Sequence, residues 1–260
     1  RRLRVAVVVL ALLLIAPALL VMREVQQQLS PWKPVSGFPK DPVSSVALNH
    51  TNDPTAPWIC AGTADVGLGC TRDGERWNIY QQDLPTGRPA GNAGPLFTGA
   101  QGIVALAIDP TRPNRLFVSV YQGETKNGDD VGGTMRSDDG GRTFQAANGG
   151  LPSEPAIQLA VFGDAVFASY GPDQGYKLFA SRDGGESWDL TGGGGKSPMS
   201  EVYAVRVTPD GAVVMAGAKE GLFVARLDGA TLEWHNTLPG EPIVVIESGS
   251  QDSEQYFLAT

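Results

Sequence analysis

The chain has 260 residues, of which 33 are glycine and 19 proline, one in five where roughly 12% is usual. With 42% hydrophobic and 18% charged residues it is neither a disordered polar chain nor a charged coiled coil, and its glycine and proline argue against a helix bundle. The formal charge is −8; the four arginines and one glutamate of residues 1–24 leave a net of −11 on the rest, which nucleic-acid phosphates would repel, and no basic run with interleaved aromatics offsets it.

Residues 5–22 are an apolar run broken only by Pro17. As a helix this run would be about 27 Å long, close to the ~30 Å of a hydrocarbon core. Arg1, Arg2 and Arg4 precede it, so the positive-inside rule keeps its start in the cytoplasm and places everything after Met22 outside. Residues 1–24 are thus expected to form a single-pass signal anchor, a transmembrane helix with the bulk of the chain extracytoplasmic. Ala16-Pro17-Ala18 has the small-x-small form of a cleavage site, which makes secretion after cleavage the alternative. The apolar run continues through Leu19-Leu20-Val21-Met22, which favours the anchor. Residues 25–42, polar and containing proline, are expected to be a linker.

From Val43 onward the pattern predicts an all-β domain over residues 43–260. Residues 43–80 form a first unit. Within it Cys60 and Cys70 flank a turn, and a hairpin centred on Asp65 pairs 60 with 70, 61 with 69 and 62 with 68. Opposed Cα atoms then lie about 4.5–5.5 Å apart, within disulfide reach, and an oxidising compartment would let the bond form. Two separate buried thiols are the alternative. The two cysteines, with His50 and His235, make no zinc pattern, so no metal is expected from them.

A second unit contains strands at 103–108, 115–120, 132–137 and 143–146. A third has them at 157–162, 164–170, 176–181 and 187–190, and a fourth at 202–207, 212–216, 221–226 and 232–235. Residues 242–260 supply two strands of a fifth. β-Branched and aromatic residues fill these runs, and glycine or proline punctuates them.

Three stretches repeat one pattern. Ser181-Arg182-Asp183-Gly184-Gly185-Glu186-Ser187-Trp188 matches Ser137-Asp138-Asp139-Gly140-Gly141-Arg142-Thr143-Phe144 position by position. Cys70-Thr71-Arg72-Asp73-Gly74-Glu75-Arg76-Trp77, aligned in the same register, keeps the second glycine (Gly74) and the aromatic (Trp77) but sets Cys and Arg at the Ser and Asp positions. A weaker echo runs from Leu227-Asp228-Gly229 to Trp234. The aromatics Phe144, Trp188 and Trp234 are spaced by about 45 residues, the period of a four-stranded propeller blade. Each pattern falls in the turn between third and fourth strands, where Asp and Ser bond turn N–H groups, glycine supplies positive φ and the aromatic buries its ring.

This pattern resembles the Asp-box, or BNR, repeat of a β-propeller superfamily that includes sialidases, sortilin-type receptors, xyloglucan-type endoglucanases and photosystem II assembly factors. The resemblance implies four-stranded antiparallel blades over about 43–260, four complete and part of a fifth. Rings of six or seven such blades need roughly 270–315 residues, so the chain is expected to stop mid-blade, with a five-bladed ring as the alternative. It also implies a structural role for Ser137, Asp139, Gly141, Phe144, Ser181, Asp183, Gly185, Trp188, Gly74 and Trp77.

In such a blade the turns after strands two and four share the end opposite the boxes. That end carries the insertions 82–101, 121–131 and 191–200, and long loops on a rigid scaffold concentrate binding residues. Tyr121, Glu124, Lys126, Asp129 and Asp130 are the candidate binding residues. Glu124, Asp129 and Asp130 are candidate calcium ligands or a glycosidase carboxylate, although a solvated acidic loop explains them as well. The glycines 192–195 before Lys196 lack the spacing of a P-loop. No sialidase-type Phe/Tyr-Arg-Ile-Pro tetrapeptide and no Ser–His–Asp set is present, so no catalytic residue is assigned. The expected function is a membrane-anchored, extracytoplasmic module that binds a protein or glycan without catalysis and without a cofactor. A sialidase-like or other glycoside hydrolase and an assembly factor for a membrane complex are the alternatives.

Overall fold

Successive apolar runs pair with their sequence neighbours throughout. The computed structural model describes Gly37, Phe38 and residues 42–49, 58–63, 67–80, 84, 102–124, 130–192, 198–228, 231–248 and 256–260, with backbone alone at 58, 122–124, 130, 131 and 248. The expected transmembrane helix and most of the expected linker lie outside the described residues. Among those described, no helix is long and apolar enough to cross a membrane.

The first sheet contains β1 (Val43–Asn49), β2 (Trp58–Thr63), β3 (Leu68–Thr71) and β4 (Trp77–Tyr80). The second contains β5 (Ile103–Ile108), β6 (Leu116–Glu124), β7 (Asp130–Ser137) and β8 (Gln145–Ala146). The third contains β9 (Gln158–Phe162), β10 (Ala165–Ser169), β11 (Leu178–Ser181) and β12 (Asp189–Gly192). The fourth contains β13 (Val202–Val207), β14 (Val213–Ala218), β15 (Gly221–Arg226) and β16 (His235–Pro239), and β17 (Val245–Ser248) pairs with β18 (Tyr256–Ala259). Every sheet follows chain order with antiparallel neighbours, as expected of four blades and part of a fifth. The first strands β1, β5, β9, β13 and β17 lie successively side by side.

The core is a series of seams between sheets. Cys60, Leu68 and Cys70 of the first sheet pack with Ile103, Leu116, Val118 and Phe144 of the second. Phe117 and Ala147 meet Val166, Ala168 and Trp188 across the next seam. Phe167 and Leu178 meet Val202, Val214 and Phe223, and Met215 and Leu222 meet Ile243 and Ile246. Period-two alternation gives each strand one side chain for the sheet behind and the next for the sheet ahead, so both faces are apolar.

Cys60 and Cys70 are direct partners on β2 and β3, with Gly62 opposite Leu68, and they form the expected disulfide with Cα atoms 4.2 Å apart. Two expected elements need revision. Strand pairing runs beyond 115–120 and 132–137 as far as Glu124 opposite Asp130, because Gly123 and Glu124 find partners in Val131 and Asp130 after an irregularity that follows Val120. The last strand of the fourth sheet starts at His235 rather than ending there.

The turns between third and fourth strands share one hydrogen-bond scheme. The Ser181 hydroxyl donates to Asp183 Oδ1 at 2.7 Å and accepts from the Gly185 N–H at 2.8 Å. Asp183 Oδ1 accepts from the N–H groups of Glu186 and Ser187, both at 2.9 Å. Ser137, Asp139, Gly141, Arg142 and Thr143 reproduce this contact by contact. The first-sheet turn corrects the aligned register. Thr71 fills the serine position, donating to Asp73 Oδ1 at 3.0 Å, and Asp73 accepts from the N–H groups of Glu75 and Arg76. Gly74, with φ 74°, corresponds to Gly140 (78°) and Gly184 (74°), so it is the first glycine and the turn is one residue shorter. The second glycine has a packing reason. A Cβ on Gly185 would lie 3.1 Å from both Ala147 and Phe117 of the preceding sheet, and one on Gly141 would lie 2.8 Å from Leu68.

Each turn aromatic leans on the sheet before it. Trp188 Nε1 donates to the Ala147 carbonyl at 2.9 Å, and Trp234 Nε1 donates to Thr191 Oγ1 at 2.9 Å. Trp77 instead packs edge-to-face on Phe38, 4.6 Å between centroids, and its buried indole N–H has no acceptor among the described residues. Replacing Trp188 with phenylalanine should therefore cost about 1–3 kcal/mol by leaving a buried carbonyl unpaired, whereas Trp77→Phe should be neutral or slightly stabilising. Urea midpoints of the two variants check this contrast.

Candidate functional site

Antiparallel order places the turns after second and fourth strands at one end of the sheets and the aspartate-bearing turns at the other. Charge divides along the same axis. The described arginines lie in or beside the aspartate-bearing end: Arg72, Arg76, Arg142 and Arg182 in its turns, and Arg112 and Arg115 between β5 and β6. Arg136, Arg206 and Arg226 sit at or next to the last residue of β7, β13 and β15. There Asp109, fully buried, accepts from Arg112 Nε at 2.9 Å and from the Gly163 N–H at 3.0 Å, which ties the second sheet to the third. Asp164 bridges the same seam through Arg112 and Arg115, and the Arg112 hydrogen bond holds its carboxyl below the ordinary range. These groups are mutually satisfied, which suits a structural role.

The opposite end presents tyrosines. Tyr121 lies on β6 just past its pairing with β5 and is half-buried; burial, with the charge of Asp173 on the third sheet, raises its phenol. Asp173 lies in a short 3-10 turn, Pro172–Gln174, which ends in left-handed Gly175 (φ 68°). Tyr176 follows with φ 52°, the only non-glycine residue with positive φ among those described. Its N–H donates to the Gly171 carbonyl at 3.1 Å, and its carbonyl accepts from the Val202 N–H of β13 at 2.8 Å, so its own turn and the fourth sheet hold it there.

The Tyr176 ring packs edge-to-face on Tyr203 of β13, 4.9 Å between centroids. Tyr203 donates to Glu201 Oε2 at 2.7 Å, and Lys219 Nζ donates to Oε1 at 2.6 Å. The hydrogen bond to Glu201 raises the Tyr203 phenol to about 12, so it stays protonated at neutral pH. Lys219 holds Glu201 low and is itself raised by the pairing. Ser200 supplies its N–H and hydroxyl to Glu220. The set offers two half-buried rings with fixed donors and acceptors.

Of the residues singled out by sequence, Tyr121 belongs to this end. Glu124 and Asp130 are Cα partners at the far end of the β6–β7 pair, and Lys126 and Asp129 lie outside the described residues. Insertion 82–101 also lies outside them, except Leu84, buried in the first seam. Insertion 191–200 begins as strand, because β12 runs to Gly192. No group of three or more His, Cys, Asp or Glu side chains is placed to hold a metal among the described residues. Sequence reasoning missed Tyr176, Glu201, Tyr203 and Lys219. The spacing of Glu201 and Tyr203, two apart where the chain enters β13, was the available signal.

These sheets define a β-propeller. No family model matches the chain, and no curated protein matches it. Solved β-propeller proteins do resemble it. One is the extracellular domain of BT4673 from B. thetaiotaomicron, at 16% identity and TM-score 0.52, covering 88% of this chain and 27% of that one. Another is an ancestral GH74 enzyme, at 18% identity and TM-score 0.50, covering 80% and 25%. A third is YCF48 bound to D1 peptide, at 12% identity and TM-score 0.46, covering 80% and 59%. The chain thus spans between a quarter and three fifths of the length of these structures, and the likeness is one of fold.

Proposed function

We propose that this chain is an Asp-box β-propeller acting as a non-catalytic binding module, with a protein or glycan ligand seated on the tyrosine-bearing end. The observation that carries this reading is Tyr176. A bulky residue in the left-handed region costs of order 1 kcal/mol or more, and such strain concentrates at ligand clamps. Here the strain sets a ring beside Tyr203, next to a Glu201–Lys219 pair whose geometry is already fixed. The three matching turns support the repeat family. The Cys60–Cys70 disulfide and the apolar run at 5–22 support an anchored, extracytoplasmic location.

Glycan arrays and arrays of tiled peptides, probed with purified full-length chain, test the reading. A ligand should emerge whose retention falls about tenfold in Tyr176→Ala and in Tyr203→Ala, the loss of one ring contact of ~1.4 kcal/mol. Both variants should keep the wild-type unfolding midpoint to within about 1 kcal/mol. Glycoside turnover by the purified chain, abolished by Tyr203→Phe, would overturn it in favour of a hydrolase.

A further inference from the structure

Among the described residues every arginine lies in or beside the aspartate-bearing turns, whereas the tyrosine-bearing end holds Glu154, Asp173, Glu201, Glu220 and Glu241 against Lys177 and Lys219. The carboxylates of the two ends are also used differently. At the aspartate-bearing end they are occupied by arginines and turn N–H groups, as Asp109, Asp164 and Asp183 are. Asp173 accepts no hydrogen bond and joins no ion pair among the described residues. Its own turn does not need it: the N–H groups of Gln174 and Tyr176 go to the Gly171 carbonyl, and that of Gly175 goes to the Pro172 carbonyl. The exposed Asp173 charge is close enough to raise the Tyr121 phenol across the seam between the second and third sheets.

Glu220 carries a second negative charge that no cation answers. Its carboxylate accepts from the Ser200 N–H at 3.2 Å and from the Ser200 hydroxyl, both neutral donors. Lys219 is committed to Glu201, which it fixes in place, and the Tyr203 phenol stays neutral through its own bond to Glu201. Glu201, Glu220 and Lys219 together are therefore negative beside the Tyr176–Tyr203 ring pair. The turn 171–176 joins the two sets, with Asp173 near Tyr121 and Tyr176 packed on Tyr203. Each set combines a half-buried tyrosine ring with uncompensated negative charge. The face of such a ring attracts a cation by about 0.5–1 kcal/mol at exposed sites, and a neighbouring carboxylate adds to that attraction. A neutral sugar gains nothing from the charge, and an acidic ligand is repelled by it.

We infer that the ligand of the tyrosine-bearing end is a basic peptide segment, one cationic side chain lying between Tyr121 and Asp173 and a second over the Tyr176–Tyr203 pair beside Glu201 and Glu220. The inference rests on the reading of this end as the binding surface and adds the chemistry of what it binds. An extended peptide can supply both contacts, because its alternate side chains share one face about 7 Å apart. The negative charge of the domain as a whole draws such a segment in.

Titration of the purified full-length chain with octapeptides of alternating Arg-Gly, Lys-Gly and Ser-Gly tests this. The two basic peptides should bind and the neutral one should not, and raising sodium chloride from about 0.05 to about 0.5 M should weaken binding about tenfold. Tyr203→Ala should weaken it about tenfold, and Asp173→Asn about threefold, the scale of one exposed charge pair. Glu233→Gln removes the same charge from an exposed position at the aspartate-bearing end and should change nothing. All three variants should unfold within about 1 kcal/mol of the wild type. Failure of both basic peptides to bind would overturn the inference. So would equal weakening by Asp173→Asn and Glu233→Gln, which would show attraction to net charge alone. A neutral glycan or peptide whose retention falls in Tyr176→Ala and Tyr203→Ala but not in Asp173→Asn would also overturn it, while leaving the binding role of this end standing. Basic-peptide binding that neither tyrosine variant weakens would overturn both.

Discussion

Asp183→Ala is expected to lower folding stability by about 2 kcal/mol, the scale of losing charge-assisted hydrogen bonds in a turn that water can partly reach. The carboxylate organises its whole turn. One oxygen takes the N–H groups of Glu186 and Ser187 at 2.9 Å each and the Ser181 hydroxyl at 2.7 Å, and the other takes the Ser187 hydroxyl at 2.5 Å. That turn delivers Gly185 against Phe117 and Ala147 and Trp188 into the seam with the second sheet. Losing the carboxylate therefore loosens contact between blades as well as a loop. The pH dependence gives a second readout. Burial works to raise this carboxyl, but the bonds from Ser187, Ser181 and Glu186 outweigh it and hold it at about 2, below the ordinary 3.8. A carboxylate depressed in the folded state contributes stability that is fully present above the unfolded value. That contribution is lost as pH falls through the folded one. The wild type should lose stability between pH 3.8 and about 2. Asp183→Asn should be weaker at neutral pH but show a shallower slope in that window, and Asp139→Asn should behave likewise because Asp139 is also depressed. Urea midpoints across this range measure both effects, and an unchanged slope in Asp183→Asn would refute the assignment.

The blades were legible in the sequence because their determinants are local. The Cys60 to Cys70 hairpin follows from turn symmetry, and the strands 103–108, 202–207 and 221–226 follow from mainly apolar runs between turn residues. Where local chemistry has two solutions, the reading slipped. Threonine can fill the serine position, so Thr71-Arg72-Asp73-Gly74 forms the turn one residue later than matching lengths suggested. The β16 boundary slipped for a related reason. In the second and third sheets the turn aromatic is the last residue before the strand, Phe144 before β8 and Trp188 before β12, and Trp234 likewise precedes β16. The tyrosine-bearing end was mostly illegible. Tyr176, Tyr203 and Lys219 come from turns and strands of two different sheets, and no spacing in one segment encodes their meeting. Tyr121 was found because it opens an insertion. That the same insertion continues as paired strand depends on partners that its glycines and acidic residues do not advertise.

Gly221→Ala should be the most damaging single substitution considered, costing about 3 kcal/mol or more. Gly221 has φ 122°, where L side chains are strained, and an added Cβ would lie 1.9 Å from the Leu238 carbonyl oxygen and 3.1 Å from the Pro239 Cα. Those are backbone atoms of β16, paired directly with Gly221 and Leu222, so no side-chain rotation relieves the overlap. The strands must part. Gly74→Ala is the matched control, since at φ 74° its Cβ would meet nothing within 4 Å and only backbone strain of about 1 kcal/mol remains. The position also bears on binding. Lys219 and Glu220 form the turn immediately before Gly221, and that turn is held by the Asn236 amide at 3.0 Å and the Gly240 N–H at 3.2 Å, both donating to the Glu220 carbonyl. Parting β15 from β16 displaces those donors and with them the turn that directs Lys219 onto Glu201. Gly221→Ala should therefore lose stability and ligand retention together, whereas Lys219→Ala should lose retention at nearly wild-type stability, because its exposed ion pair contributes little to folding. Equal stability loss in Gly221→Ala and Gly74→Ala would show that the β15–β16 backbone yields to the added methyl group. The coupling between this strand pair and the tyrosine-bearing end would then fail with it.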